Sequence, residues 1–317
     1  MFKNIFKRPL PKPIFDPALR DPLGQKILAE AKAGQAQLLQ EKIVTMREGQ
    51  WDRRMFYVDL AGEFMASRDK VEALPDTAVG NLIRGTHAIH WAWEARGSGQ
   101  AESVQSDQWP VFFQRLELGV NNLLRAAEQD PSDPSPFAIL LTAGMGLQVE
   151  RHVTDEWFME AIRRDPLHQQ AHYRMLFLLC EKWGGSHSEM YDFAKQTVRK
   201  SPRGSTLASV LYLAFQEHYL YLVAFERDKE AAQALLADKK VQQKSLDIYQ
   251  KSLALHQQID NPANYWPHNV AAWWFLTLNN LTIAKQEIAK IGLSFTRFPW
   301  GLFDWDPADG YHRALNA

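Results

Sequence analysis

The chain has 317 residues, 46% of them hydrophobic, with 36 basic against 37 acidic side chains and a net charge of −1. That composition supports a large buried core and excludes wholesale disorder, and the even charge leaves no global field to draw in nucleic acid or an anionic membrane. The lone Cys180, in the run Met175-Leu-Phe-Leu-Leu-Cys180, excludes an intrachain disulfide and reads as a small core residue in a reducing compartment.

Residues 1–22 carry Pro9, Pro11, Pro13, Pro17 and Pro22 and read as an extended proline-rich basic arm. Lys3, Lys7, Arg8 and Lys12 alternate there with Phe2, Ile5 and Phe6, a pattern that allows membrane-surface contact through residues 1–13. The stretch is short for that task, and a plain leader explains it as well. It lacks an apolar segment of signal-peptide length and no run is long enough to span a bilayer, so a cytoplasmic protein is expected.

Two helical patterns run from Gly24 to about Leu60, with a break near Glu48-Gly49-Gln50-Trp51. Leu74-Pro75-Asp76 opens a further helix, with Asp76 as N-cap, which continues through Leu82, Ile83, Ile89 and Trp93 to the glycines after Arg96. A polar loop to Asp107 precedes a helix over 109–128, where Phe112, Leu116, Val120 and Leu123 form a stripe of period 3.6.

Three proline junctions then recur in near-constant register: Asp130-Pro131, Asp165-Pro166 and Ser201-Pro202, 35 and 36 residues apart. Each follows a helical pattern, which is how stacked two-helix repeats look in sequence, here residues 132–166 and 167–202. Trp183-Gly184-Gly185 splits the second repeat, and Ser186 with Glu189 forms a capping box. A long apolar helix from Leu207 to Phe225, a charged helical stretch to about Gln258 and a pair near 268–280 and 282–292 follow. The aromatic tail from Phe298 folds back over the end of the stack. The expected fold is an all-α, tetratricopeptide-like helical-repeat solenoid of antiparallel helix pairs. Its segments are 1–22, 23–106, 107–297 and the capping tail 298–317.

The spacing resembles the tetratricopeptide repeat. Ala126, Ala161 and Thr197 stand five residues before their prolines, Phe158 takes the aromatic place and Leu141 the leucine of the first helix. The tryptophan, glycine and tyrosine of that motif are missing, so the repeats are degenerate. A second resemblance covers roughly residues 35–290. The run Ile83-Arg-Gly-Thr-His-Ala-Ile-His-Trp-Ala-Trp-Glu-Ala-Arg-Gly97, then Asp130-Pro-Ser-Asp-Pro-Ser-Pro136, then Lys182-Trp-Gly-Gly-Ser186 with Phe193-Ala194, is similar to a bacterial family catalogued as domain of unknown function 4034. The resemblance implies a bacterial, tetratricopeptide-like helical protein and carries no activity with it.

Arg84, His87, Trp91 and Glu94 fall at i, i+3, i+7 and i+10 and share one helical face. A base, an acid and an aromatic plate on one face can grip a charged peptide side chain, or can tie this helix to its neighbours as a polar network. Adding His90 gives His87-x-x-His90-x-x-x-Glu94, which suits a metal or acid–base enzyme only if further ligands converge. His168 and His172 are four apart, but Gln169 stands where a zincin needs glutamate, so they read as surface or interhelix histidines. Trp183-Gly184-Gly185-Ser186 lacks the lysine of a phosphate loop and reads as a turn.

These observations lead to a non-catalytic, cofactor-free scaffold or adaptor of the bacterial cytoplasm that binds a protein or peptide, and not nucleic acid. Its contacts are Arg84, His87, Trp91, Glu94 and Trp183. One specialised form is an immunity or adaptor protein for a secreted toxin. The alternative is the enzyme built on His87, His90 and Glu94.

Overall fold

Apolar positions at helical spacing sink one stripe of nearly every segment into a shared core in the computed structural model, which describes residues 14–97, 104–301 and 312. The helices in chain order are α1 (Pro22–Lys32), α2 (Gln37–Thr45), α3 (Trp51–Phe64), α4 (Arg68–Glu72), α5 (Ala78–Arg96), α6 (Gln108–Gln129), α7 (Ser135–Leu147) and α8 (Arg151–Arg164). They continue with α9 (Gln169–Leu178), α10 (His187–Lys200), α11 (Val210–Tyr221), α12 (Lys229–Ala237), α13 (Lys239–Lys251), α14 (Tyr265–Thr277), α15 (Leu281–Ile291) and α16 (Arg297–Trp300). Among the described residues there is no strand, only an isolated bridge between Ile14 and Ser294. None of their helices is long and apolar enough to cross a membrane.

The proline register corresponds to one backbone device used three times. α6, α8 and α10 are each capped by the residue before the proline, whose N–H donates back to the small residue of the motif. Asp130 bonds the Ala126 carbonyl at 3.0 Å, Asp165 that of Ala161 at 3.0 Å and Ser201 that of Thr197 at 2.9 Å. All three small residues are buried, so close packing explains their size and the proline that follows blocks another helical turn. Half of the expected capping box forms: Glu189 N–H donates to Ser186 Oγ at 3.2 Å, but the Ser186 N–H donates to the Leu179 carbonyl at 3.1 Å and the Glu189 carboxylate accepts the Ser186 hydroxyl instead, at 2.9 Å. Gly184 takes φ +85, a left-handed turn conformation that glycine reaches at little cost.

Helices pair in succession as α5/α6, α7/α8, α9/α10 and α14/α15, and the first helices α5, α7, α9, α11 and α14 touch one another in order. The α5/α6 pair is the most extensive. It depends on two facing glycines: a Cβ on Gly85 would lie 2.5 Å from Leu123 Cγ, and one on Gly119 2.5 Å from Ile89 Cδ1. Some boundaries differ from expectation. The first helical region holds three helices, not two, and Thr77 caps α5 through the Gly80 N–H while Asp76 pairs with Asn81 and Arg125.

The surface along these first helices is not left open. α3 reaches several of them or the turns that precede them: Arg54 pairs with Asp133 before α7, Gln169 N–H of α9 donates to Asp52 at 2.8 Å, Arg174 of α9 pairs with Asp59 at 2.9 Å, and Arg53 donates to the Asp260 carbonyl. The two ends of the array also meet. Ile14 N–H donates to the Leu293 carbonyl at 2.9 Å and Phe295 N–H to the Ile14 carbonyl at 3.2 Å. Residues 14–21 of the expected arm are therefore docked; residues 1–13, with the membrane-contact reading, lie outside the described residues. At the far end Trp300 is fully buried, its indole donating to Asn269 Oδ1 at 2.8 Å, so the described start of the tail does fold back; most of the tail beyond it lies outside the described residues.

Candidate functional site

α5 carries three groups of polar and aromatic side chains, each aimed at a different neighbour. On the first face, Arg84 donates to carbonyls at the end of α4, those of Leu74, Glu72 and Pro75, and to Asn81 Oδ1 at 2.9 Å. His87 Nδ1 lies 3.0 Å from the Gly62 carbonyl, and burial lowers its pKa. Trp91 has the Arg115 guanidinium 3.5 Å from its ring centroid and that of Arg68 at 5.5 Å. Glu94 is exposed. Three of these four candidates thus hold α3, α4 and α6 around α5.

The second group is His90, whose Nε2 lies 3.6 Å from Asp59 Oδ1. Burial acts to raise the Asp59 carboxyl, but Arg174 and His90 outweigh it and hold it below the usual range. His87 and His90 are thereby directed to separate partners, and Glu94 is exposed. Among the described residues no three His, Cys, Asp or Glu side chains converge to hold a metal.

The third group builds a groove. Trp93 and Arg96 from α5, Trp109 from the start of α6, Arg151 from the start of α8, and Trp183 in the turn after α9 line an opening of about 810 Å³. Trp93 stands edge-on to Trp183 with centroids 5.8 Å apart and to Phe112 at 5.1 Å. The Arg96 guanidinium lies 5.5, 5.8 and 6.0 Å from the centroids of Trp93, Trp109 and Trp183. No carboxylate is among the described lining residues, and Lys182 adds a further cation, paired at 2.5 Å with Glu217. Two donors in this lining, Trp93 Nε1 and Arg151 Nη1, are buried without a hydrogen-bond partner. A buried donor left unpaired costs about 1–3 kcal/mol, so the groove is chemically set to receive an acceptor.

Of the five contacts expected from sequence, only Trp183 lines this groove. Trp93, Trp109, Arg96 and Arg151 were missed, although Trp93-x-x-Arg96 is itself an aromatic–cation pair one turn apart.

Other polar clusters are closed. His268 and Glu287 are fully buried at 2.5 Å, and Tyr249 and Lys290 donate to the same carboxylate at 2.9 and 2.7 Å. Burial would raise Glu287, but His268 and Lys290 hold it low. Of the two places expected for His168 and His172, surface or interhelix, they take the second: both are buried, with His168 capping α9 through the Ala171 N–H at 3.2 Å. Cys180 is buried beside Met190, and burial pushes its thiol far above the usual range, so it is inert packing.

Comparison of the chain with family models, with curated proteins and with solved structures found no match.

Proposed function

We propose that the chain is a tetratricopeptide-like helical-repeat adaptor of the bacterial cytoplasm, a member of the family its sequence resembles, and that it binds a protein partner through an acidic, aromatic-containing segment. The observation that carries this reading is the pair of buried donors, Trp93 Nε1 and Arg151 Nη1, that find no partner among the described residues, in a groove walled by three tryptophans and with no carboxylate in its described lining. Carboxylates satisfy such donors, and tryptophan and arginine are the residues that dominate binding energy when desolvated together. The volume also suits several side chains and exceeds what a metal or a small anion needs. Blocking a secreted toxin is one use of such a groove.

A fluorescence titration tests it, using a short peptide of glutamate and phenylalanine and a control with lysine in place of glutamate. The acidic peptide is expected to quench tryptophan emission saturably, and Arg151→Gln with Trp183→Ala to weaken it by roughly 2 kcal/mol or more. Equal binding of the lysine peptide, or binding unaffected by the double substitution, overturns the reading.

A further inference from the structure

A second cavity, of about 300 Å³, lies where α3 faces both ends of the array, and it shares no lining residue with the groove. Its walls are aromatic: Phe15 from the N-terminal segment, Phe56 and Phe64 from α3, Trp266 from α14 and Phe298 from the C-terminal segment. Trp266 and Phe298 stack at 5.7 Å with an interplanar angle of 17°, and Tyr173 braces Trp266 from behind at 4.5 Å. The charge is opposite to that of the groove. Asp16, Asp52, Asp59 and Glu63 contribute carboxylates and Arg297 the one cation in the described lining.

These carboxylates are not equivalent. Asp59 is matched by Arg174 and His90, and Asp16 accepts the N–H groups of Ala18 and Arg20 together with Gln25. Asp52 accepts the Gln169 backbone N–H on Oδ1 at 2.8 Å, and among the described residues no cation pairs with it. A half-buried carboxylate with no counter-charge among the described residues, beside a cavity of aromatic faces, is open to a positive ligand. The size is at the lower end for small-molecule sites and too small for a folded segment.

We propose that this cavity binds a small organic ammonium ion, its charge set against Asp52 and its substituents against the aromatic walls. Ring faces carry negative potential and attract an ammonium most strongly where water is excluded. The site already shows that chemistry at its edge, where Lys32, outside the lining, sits 5.6 Å over the Phe64 ring.

The ionisation of Asp52 supplies an independent handle. Burial pushes its carboxyl up to about 7, against the Gln169 hydrogen bond and with Asp165 adding repulsion. The other charged or titratable groups around it are Tyr173 on α9, Asp16 and Arg297 from the two end segments, and Asp59 and Glu63 on its own helix. Only the ionised carboxylate attracts an ammonium, so protonation competes with the ligand below that value. Affinity is expected to fall about tenfold from pH 8 to pH 6.

Calorimetric titration of the full chain with choline, with cadaverine and with 3,3-dimethylbutan-1-ol, the neutral carbon analogue of choline, tests the proposal. At least one ammonium is expected to bind with Kd below about 1 mM, and the neutral analogue at least about tenfold more weakly. Tighter choline identifies a quaternary ammonium as the ligand class, tighter cadaverine a primary amine. Asp52→Asn is expected to weaken binding about tenfold and to remove its pH dependence. Phe15→Leu, at a ring that is 43% exposed and so dispensable to the core, is expected to weaken choline severalfold and leave the pH dependence in place. Equal binding of the neutral analogue, an unaffected Asp52→Asn, or no heat from either ammonium overturns it. None of these outcomes bears on the acidic-peptide groove.

Discussion

Arg54→Met removes the ion pair that fixes α3 to the turn before α7, and its cost follows from the geometry. Arg54 Nε and Nη2 donate to Asp133 Oδ2 at 3.0 and 2.6 Å, Nη1 donates to the Ile43 carbonyl at 2.5 Å, and both charged side chains are essentially inaccessible. Methionine keeps the bulk beside Trp51, whose ring lies 5.6 Å from the guanidinium, so little cavity is created. The Asp133 carboxylate is then left buried with the Ser135 N–H, at 2.8 Å, as its remaining donor. Removing one partner of such a pair costs about 3–5 kcal/mol. Urea unfolding followed by circular dichroism is therefore expected to show a loss of about 3–5 kcal/mol at pH 7. Adding Asp133→Asn keeps an acceptor for Ser135 and removes the stranded charge, so the double variant is expected to be more stable than Arg54→Met alone. A loss below about 1 kcal/mol, or a double variant no better than the single, would refute the reasoning.

Two further outcomes concern buried ionisable groups. Burial holds His168 down to about 3, so between the unfolded value near 6.5 and that value the unfolded chain binds the extra proton and stability falls as pH falls; the raised Asp52 works in the opposite sense over the same range. His168→Asn keeps the α9 cap, and from pH 7 to pH 4.5 the wild type should lose about 2–3 kcal/mol more than this variant in paired urea titrations. Glu287→Gln leaves His268 and Lys290 without their shared counter-charge in the core, and a loss of about 3–5 kcal/mol is expected in the same assay at pH 7; because Glu287 is held low, that difference should diminish as pH drops below about 4.5.

Much of the helix content was legible because its signals are local. Ser186 and Glu189 announce a helix start by cap chemistry alone, and Ala126, Ala161 and Thr197 announce three equivalent turns because a small residue must stand where helices pack closely. The places where sequence reading fell short are those where distant segments meet. Arg84 sits on the face its spacing predicts, yet nothing local reveals that α4 ends its carbonyls there. Polarity leaves His168 and His172 open between a surface and an interhelix place, and only the packing of neighbouring helices, with Phe158 of α8 and Phe193 of α10 against His172, decides it. Asp52 and Phe15 carry no motif at all: their meaning depends on Trp266 and Phe298, more than 200 positions away.

The course of α3 also changes what kind of array this is. In a simple solenoid each repeat touches only its neighbours, so stability divides into local terms and a groove lies open along the first helices. Here α3 joins elements from residue 43 to residue 260, and residues 14–19 join those near 294, so the ends of the array are coupled and part of the first-helix surface is taken by the chain itself. The acidic-peptide groove escapes this, because its core of α5, α6, α7, α8 and the Trp183 turn is contiguous in sequence and needs no closure. The ammonium cavity is the opposite case, since it exists only when residues 15–19, 52–64 and 262–298 are brought together. Its walls are the seam of the closed form. A ligand there binds the closed array alone and must stabilise that closure by its own binding free energy, and the groove has no such linkage to the chain ends.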